Sequence, residues 1–118
     1  LLEPGGVGRV GFMSAEGIVI LPVNYAITAK TVVFRTAPDT LLAALGNGPV
    51  SFQADREDEA SRAGWSVLLQ GHAHTVAGEA AVRSLEHATG LEPWASGARD
   101  VWVRIIPARI SGRRIRQA

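Results

Sequence analysis

The run Ile18-Val19-Ile20-Leu21-Pro22-Val23-Asn24-Tyr25-Ala26-Ile27 constrains the fold more than any other stretch of the chain. Apolar residues fill both parities, whereas a strand with one wet face would alternate. The pattern predicts a strand buried within a barrel. Pro22 interrupts it and has no N–H to give to a ladder, so it marks a strand edge, a bulge or the approach of a ligand.

The flanking segments extend the same reading. Arg9–Ser14 is a strand candidate, and Ala15-Glu16-Gly17 turns the chain into the apolar run. Thr31–Thr36 is rich in β-branched residues and reads as a third strand. A helix is expected over Pro38–Leu45: Thr36-Ala37-Pro38-Asp39 has the form of a capping box, and Gly46 and Gly48 supply the stop. Pro49–Asp55 reads as a fourth strand, 56–62 as a charged loop and Trp65–Val76 as a long fifth strand. Gly78–Thr89 reads as a second helix ended by Gly90. Arg99–Ile106 is the last clear strand, with Ile110–Ile115 as an extension beyond Pro107. The order β-β-β-α-β-β-α-β, with short connections, favours a mainly β fold. The expected form is an antiparallel barrel, closed or partly open, whose ends are plugged by two short helices. No G-x-G-x-x-G or G-K-S/T phosphate loop is present. Gly5-Gly6-Val7-Gly8 precedes a strand rather than a helix, the wrong context for one.

Composition narrows the function classes. The 118 residues fit one domain, taken here as 1–118, and 47% hydrophobic against 19% charged residues permits a packed core. Leu1-Leu2-Glu3-Pro4-Gly5-Gly6 reads as the end of a helix and its exit loop, so a preceding N-terminal segment is expected. Without cysteine, the chain has no disulfide, thiolate metal site or cysteine nucleophile. That fits a cytoplasmic location. A net charge of +1 gives no electrostatic case for nucleic acid or a membrane surface.

Several segments, in order and at matching spacing, resemble the pyridoxamine 5′-phosphate oxidase-like proteins of bacteria. They are Pro22-Val23-Asn24-Tyr25, Phe34-Arg35-Thr36-Ala37-Pro38, Gly64-Trp65-Ser66-Val67, Leu91-Glu92-Pro93-Trp94-Ala95, and Trp102-Val103-Arg104-Ile105 with Gly112-Arg113-Arg114-Ile115. The resemblance implies a six-stranded antiparallel split barrel with two short helices, of the FMN-binding type. It also implies a homodimer whose interface holds the cofactor, acting as an FMN-dependent oxidoreductase on a small-molecule substrate.

On that resemblance, Arg35, Thr36 and Thr40 would hold the FMN phosphate, for which a guanidinium fork and the free N–H groups of a helix start are suited. Leu41 stands where relatives commonly carry lysine, and Asp39 where glycine is common, so the phosphate end has departed from the pattern. Pro22, the backbone of Val23 and the Asn24 amide would line the flavin ring near its pyrimidine end. Trp65 and Ser66 would border the same site, and Trp94 and Trp102 would cover the ring from the partner subunit. Plain core roles for Trp65, Val23 and Tyr25, and an ion-pair role for Arg35, are the alternatives. A deazaflavin cofactor, or a non-enzymatic flavin- or haem-binding module, are the competing functions. His72 and His74 share one strand face but lack a third ligand, so no metal site is expected. Arg109, Arg113, Arg114 and Arg116 read as a solvated basic end.

Overall fold

The computed structural model describes residues 5–37, 47–58, 63–91 and 101–116. Six strands run β1 Gly6–Ser14, β2 Gly17–Thr28, β3 Thr31–Thr36, β4 Gly48–Asp58, β5 Ala63–Thr75 and β6 Val101–Arg116. They close an antiparallel barrel in the order β1-β2-β3-β6-β5-β4. One helix, α1 Glu79–Thr89, is described. The helix expected over 38–45 lies outside the described residues.

The barrel is a split one, and the ladders show how. β5 pairs with β6 all the way from Ala63↔Arg116 to Thr75↔Val103. β3 pairs with β6 only from Val32↔Ile105 to Thr36↔Val101. Beyond Ile105, β6 therefore leaves β3 behind and follows β5 alone. β1 meets β4 at just Arg9, Val10 and Gly11. The chain turns this corner at a bulge: Gly71 pairs with Pro107 but Gln70 with Arg109, which leaves Ala108 as the extra residue. A β-carbon on Gly71 would collide with the carbonyl oxygen of Ile106, so only glycine permits the close approach.

This layout explains how long strands tolerate three prolines. Pro22 pairs with β1 alone, because β2 meets β3 only from Tyr25 onward. Pro49 pairs with β5 alone, and Pro107 lies past the end of the β3 ladder. Each sits where one side of the strand carries no neighbour among the described residues, so its missing N–H breaks no second ladder.

Alternation sends two apolar sets to opposite sides of the sheet. Val10, Phe12, Val23, Tyr25, Val32, Phe34, Phe52, Leu69, Val103 and Ile105 fill the interior. A smaller cluster lies outside, where Leu85 of α1 packs on Ala26, Val33 and Trp102. The elements are close to those expected from sequence, with three main differences. β1 starts at Gly6 rather than Arg9, so Gly6–Gly8 lie within the strand instead of preceding it, β4 runs on to Asp58 through residues read as loop, and β5 begins at Ala63. β6 continues past Pro107, as the Ile110–Ile115 extension implies. The two-sided apolar character of β2 is also resolved: its inward residues are core, while Ile18 and Ile20 point outward and are exposed.

Candidate functional site

The candidate residues divide by face. On the outer face, Pro22 and Asn24 are exposed neighbours along β2. Pro22 pairs with Arg9, Arg9 with Gln53, and Gln53 lies one step from Asp55, which pairs with Ser66. The Gln53 amide donates to Ser66 Oγ and to Asp55 Oδ2, each at 3.2 Å. Arg35 follows Phe34, the last β3 residue to pair with β2, so it stands beside Asn24 on this outer side. Pro22, Asn24, Arg35, Ser66 and Trp102 thus belong to one outward-facing strip across the strands. Arg9 and Gln53, which the sequence reading missed, connect its two halves. They lie at outward positions of strands already identified, but only the β1–β4 pairing reveals their adjacency.

The inward residues have other partners. Val23 is buried in the core, so its side chain faces the interior and only its backbone is available to the strip. Thr36 is likewise buried. Trp65 packs at the edge of the core, with the Arg56 guanidinium 5.9 Å from its ring centroid. Tyr25 stands edge-on to Phe52, centroids 4.9 Å apart. Burial pushes its phenol above the ordinary value of 10.0, against the opposing pull of the Arg56 charge. Thr40, Leu41 and Trp94 lie outside the described residues.

The Arg35 corner is the most tightly built part of the strip. The guanidinium lies 4.7 Å from the centroid of the Trp102 ring, a cation–π contact. Its Nη1 donates to the Leu91 carbonyl at 2.9 Å, and its Nη2 is 3.7 Å from Glu86 Oε2. The Arg35 side chain is 11% exposed and that of Glu86 is 47% exposed. A pair with one wet partner at this distance is worth little. Trp102 is itself 1% exposed beneath Arg35 and α1, so within this chain it is a platform for the guanidinium. Its indole Nε1 is buried and has no acceptor among the described residues. An unmet buried donor costs about 1–3 kcal/mol.

Beside the strip the outer sheet is apolar and open. A cleft of about 670 Å³ is bordered by Met13, Ile18, Ile20, Pro49 and His72, with Gly11 in its floor. A β-carbon on Gly11 would find nothing nearer than 3.8 Å. His72 and His74 stack with centroids 6.4 Å apart, and no group of three metal-ligating side chains forms among the described residues. No described helix is long and apolar enough to cross a membrane.

Residues 1–114 match the family model described as pyridoxamine 5′-phosphate oxidase. The chain belongs to that family. It is 37% identical over 91 residues to an uncharacterized protein of Mycobacterium tuberculosis, covering 76% of this chain and 80% of that one. Among solved structures, the fold matches a FAD binding protein from Mycobacterium smegmatis with a TM-score of 0.81 and 37% identity, over 96% of this chain and 88% of the other. It also matches a conserved protein of unknown function from Corynebacterium diphtheriae, with a TM-score of 0.75 and 33% identity, over 95% and 86% of the two chains. The split barrel expected from the motifs is therefore the fold of its structural relatives.

Proposed function

We propose that this protein binds a flavin nucleotide on the outward strip, between two copies of the chain, and acts as a flavin-dependent oxidoreductase on a small molecule. The observation that carries this is the convergence on one face of Pro22, Asn24, Ser66 and the Arg35–Trp102 corner. A flavin needs a flat apolar bed, edge-directed polar groups and a cation for its phosphate.

The residues fit these needs. The exposed Pro22–Asn24 segment offers backbone and amide groups without side-chain bulk in between. Arg9, Gln53 and Ser66 add donors and acceptors on the neighbouring strands. Arg35 offers a guanidinium held in place by the Trp102 ring, and displacement of the Glu86 carboxylate would turn that charge towards a phosphate. When bound, the flavin would supply hydride or single-electron transfer. The chain's own residues bind it, orient it and exclude water. The exposed Met13, Ile18, Ile20 and Ile106 give a second copy an apolar surface to cover.

FAD is the favoured flavin over FMN. On the resemblance, Leu41 stands where relatives carry a lysine, so a terminal phosphate at this corner would meet one guanidinium rather than two cations. The FAD-binding description of the Mycobacterium smegmatis relative points the same way. Absorbance of the purified protein, followed by heat release and chromatography of the chromophore, tests the reading. FAD bands and a released dinucleotide are expected. A colourless protein with no thermal shift in excess FAD or FMN would overturn it, because any ligand of the native state raises its apparent stability.

A further inference from the structure

The split in the barrel opens a second cleft, away from the flavin strip. β3 stops pairing with β6 at Ile105, and the gap between the β2–β3 hairpin and the β6 segment after Pro107 holds a volume of about 560 Å³. Ile27, Val32, Leu69, Pro107 and Ile110 form its apolar walls, and Val32 and Leu69 are almost fully buried. Lys30, the only lysine of the chain, is the one charged residue in its lining among the described residues. Arg35 lies at the other end of β3, five residues along, roughly 16 Å away at the rise of a strand.

The turn that presents Lys30 is an unusual one. Ala29 and Lys30 form the two-residue connection of the hairpin with φ of 49° and 60°. Two-residue hairpin turns with both central φ positive strongly favour Asn-Gly or Gly-Gly, because a β-carbon is crowded there. The hairpin is nevertheless held shut, and Thr31 Oγ1 donates to the Thr28 carbonyl at 2.7 Å. Ala29 shares this conformation, so what distinguishes Lys30 is its charge and its place in the lining of the cleft. Here that side chain carries a charge to the rim of an apolar cleft.

We propose that this cleft is a binding site for a small amphipathic carboxylate, its apolar body between the β3 and β6 walls and its carboxylate on the Lys30 ammonium. Charge complementarity selects the class. Among the described residues no acidic side chain lines the cleft, so an anionic head meets the Lys30 cation without a described competitor. A cationic ligand would be repelled, and a fully apolar one would leave the ammonium unused. The mouth of a small barrel is a common place for such a site.

The test uses the whole chain with 4-phenylbutyrate and its neutral counterpart 4-phenylbutan-1-ol, followed by amide NMR shifts. The acid is expected to give saturable shifts at residues 29–32 and 110–112, with the alcohol about tenfold weaker, the usual scale for one charged hydrogen bond. Lys30→Gln removes the charge and keeps the β-carbon. It should bring the acid down to the alcohol's affinity without moving Tm. Lys30→Gly should lose acid binding equally while raising Tm by about 3 °C, because glycine relaxes the turn. Gly112→Leu, whose β-carbon meets nothing closer than 3.6 Å, should fill the cleft and block both probes. Absence of saturable shifts at millimolar acid would overturn the proposal, as would equal affinity for acid and alcohol or unchanged acid binding in Lys30→Gln. If the parent chain binds neither probe and Gly112→Leu alters its oligomeric state, the cleft belongs to a second copy and the proposal falls.

Discussion

The two outer faces of this barrel come from the same kind of alternating strand, yet they end differently. Over β2, β3 and β6 the outward residues Ala26, Val33 and Trp102 are covered by Leu85 of α1. Over β1 and β2 the outward residues Met13, Ile18 and Ile20 are 66%, 75% and 66% exposed, and no described element covers them. One face is completed within the chain, and the other is left apolar and open. A strand pattern says which residues point away from the core but not what meets them. The helix answers that for the first face, and in the proposed function a second copy answers it for the other.

The largest expected effect breaks the covered face. Trp102→Ala removes the platform beneath Arg35 and part of the surface on which Leu85 of α1 packs, and should cost about 3–5 kcal/mol by chemical denaturation. Trp102→Phe keeps the packing and removes the buried indole N–H that has no described acceptor. It should cost far less, and this pair of variants separates platform from donor.

The open face should respond in the opposite way. Ile18→Asp with Ile20→Asp places two charges on already exposed positions, so thermal stability of the folded chain should change by no more than about 1 kcal/mol. The affinity of the proposed dimer, measured by sedimentation, should fall by about a hundredfold or more, because buried uncompensated charge is costly in an interface. Loss of folding with these substitutions would mean that the face is already covered within the chain.

Between the faces, Arg35→Met should weaken flavin binding by about tenfold to a hundredfold, with a smaller effect on stability. Glu86→Gln should strengthen it slightly, because it frees a guanidinium that the carboxylate now neutralises in part. Titration of the apo protein with FAD reads both.

The smallest effect concerns Tyr25. Burial holds its phenol neutral above the ordinary value, so its contribution to stability is complete below the unfolded phenol pKa and is lost as pH rises through the folded one. Stability should therefore decline above about pH 10. Tyr25→Phe should flatten that decline in denaturation curves taken on either side.

The sequence made some of this architecture legible and hid the rest. Strand order could be read because turn residues and β-branched runs are local signals. The Glu79–Thr89 helix announced itself by Gly78 and Gly90. Long-range register could not be read. Nothing in the residues around Pro107 says that β3 has ended by then, which is what makes that proline harmless and opens the split. The same limit applies to the site. Pro22, Asn24, Arg35 and Ser66 were identified from their segments, and they share a face. Arg9 and Gln53 escaped notice because only cross-strand pairing puts them beside that segment. Trp102, expected to cover a flavin ring from the partner subunit, packs within its own chain beneath a helix whose docking position local pattern does not encode.

In the proposed function a second copy covers the bare face and completes the cofactor strip beside it. Flavin titration of the Ile18→Asp, Ile20→Asp protein against the parent chain tests this most directly, with the monomeric state and intact fold of the variant established in the same samples. The parent chain is expected to bind one FAD per subunit, and the folded monomer to bind it at least a hundredfold more weakly. A folded monomer that binds flavin as tightly as the parent would contradict the account.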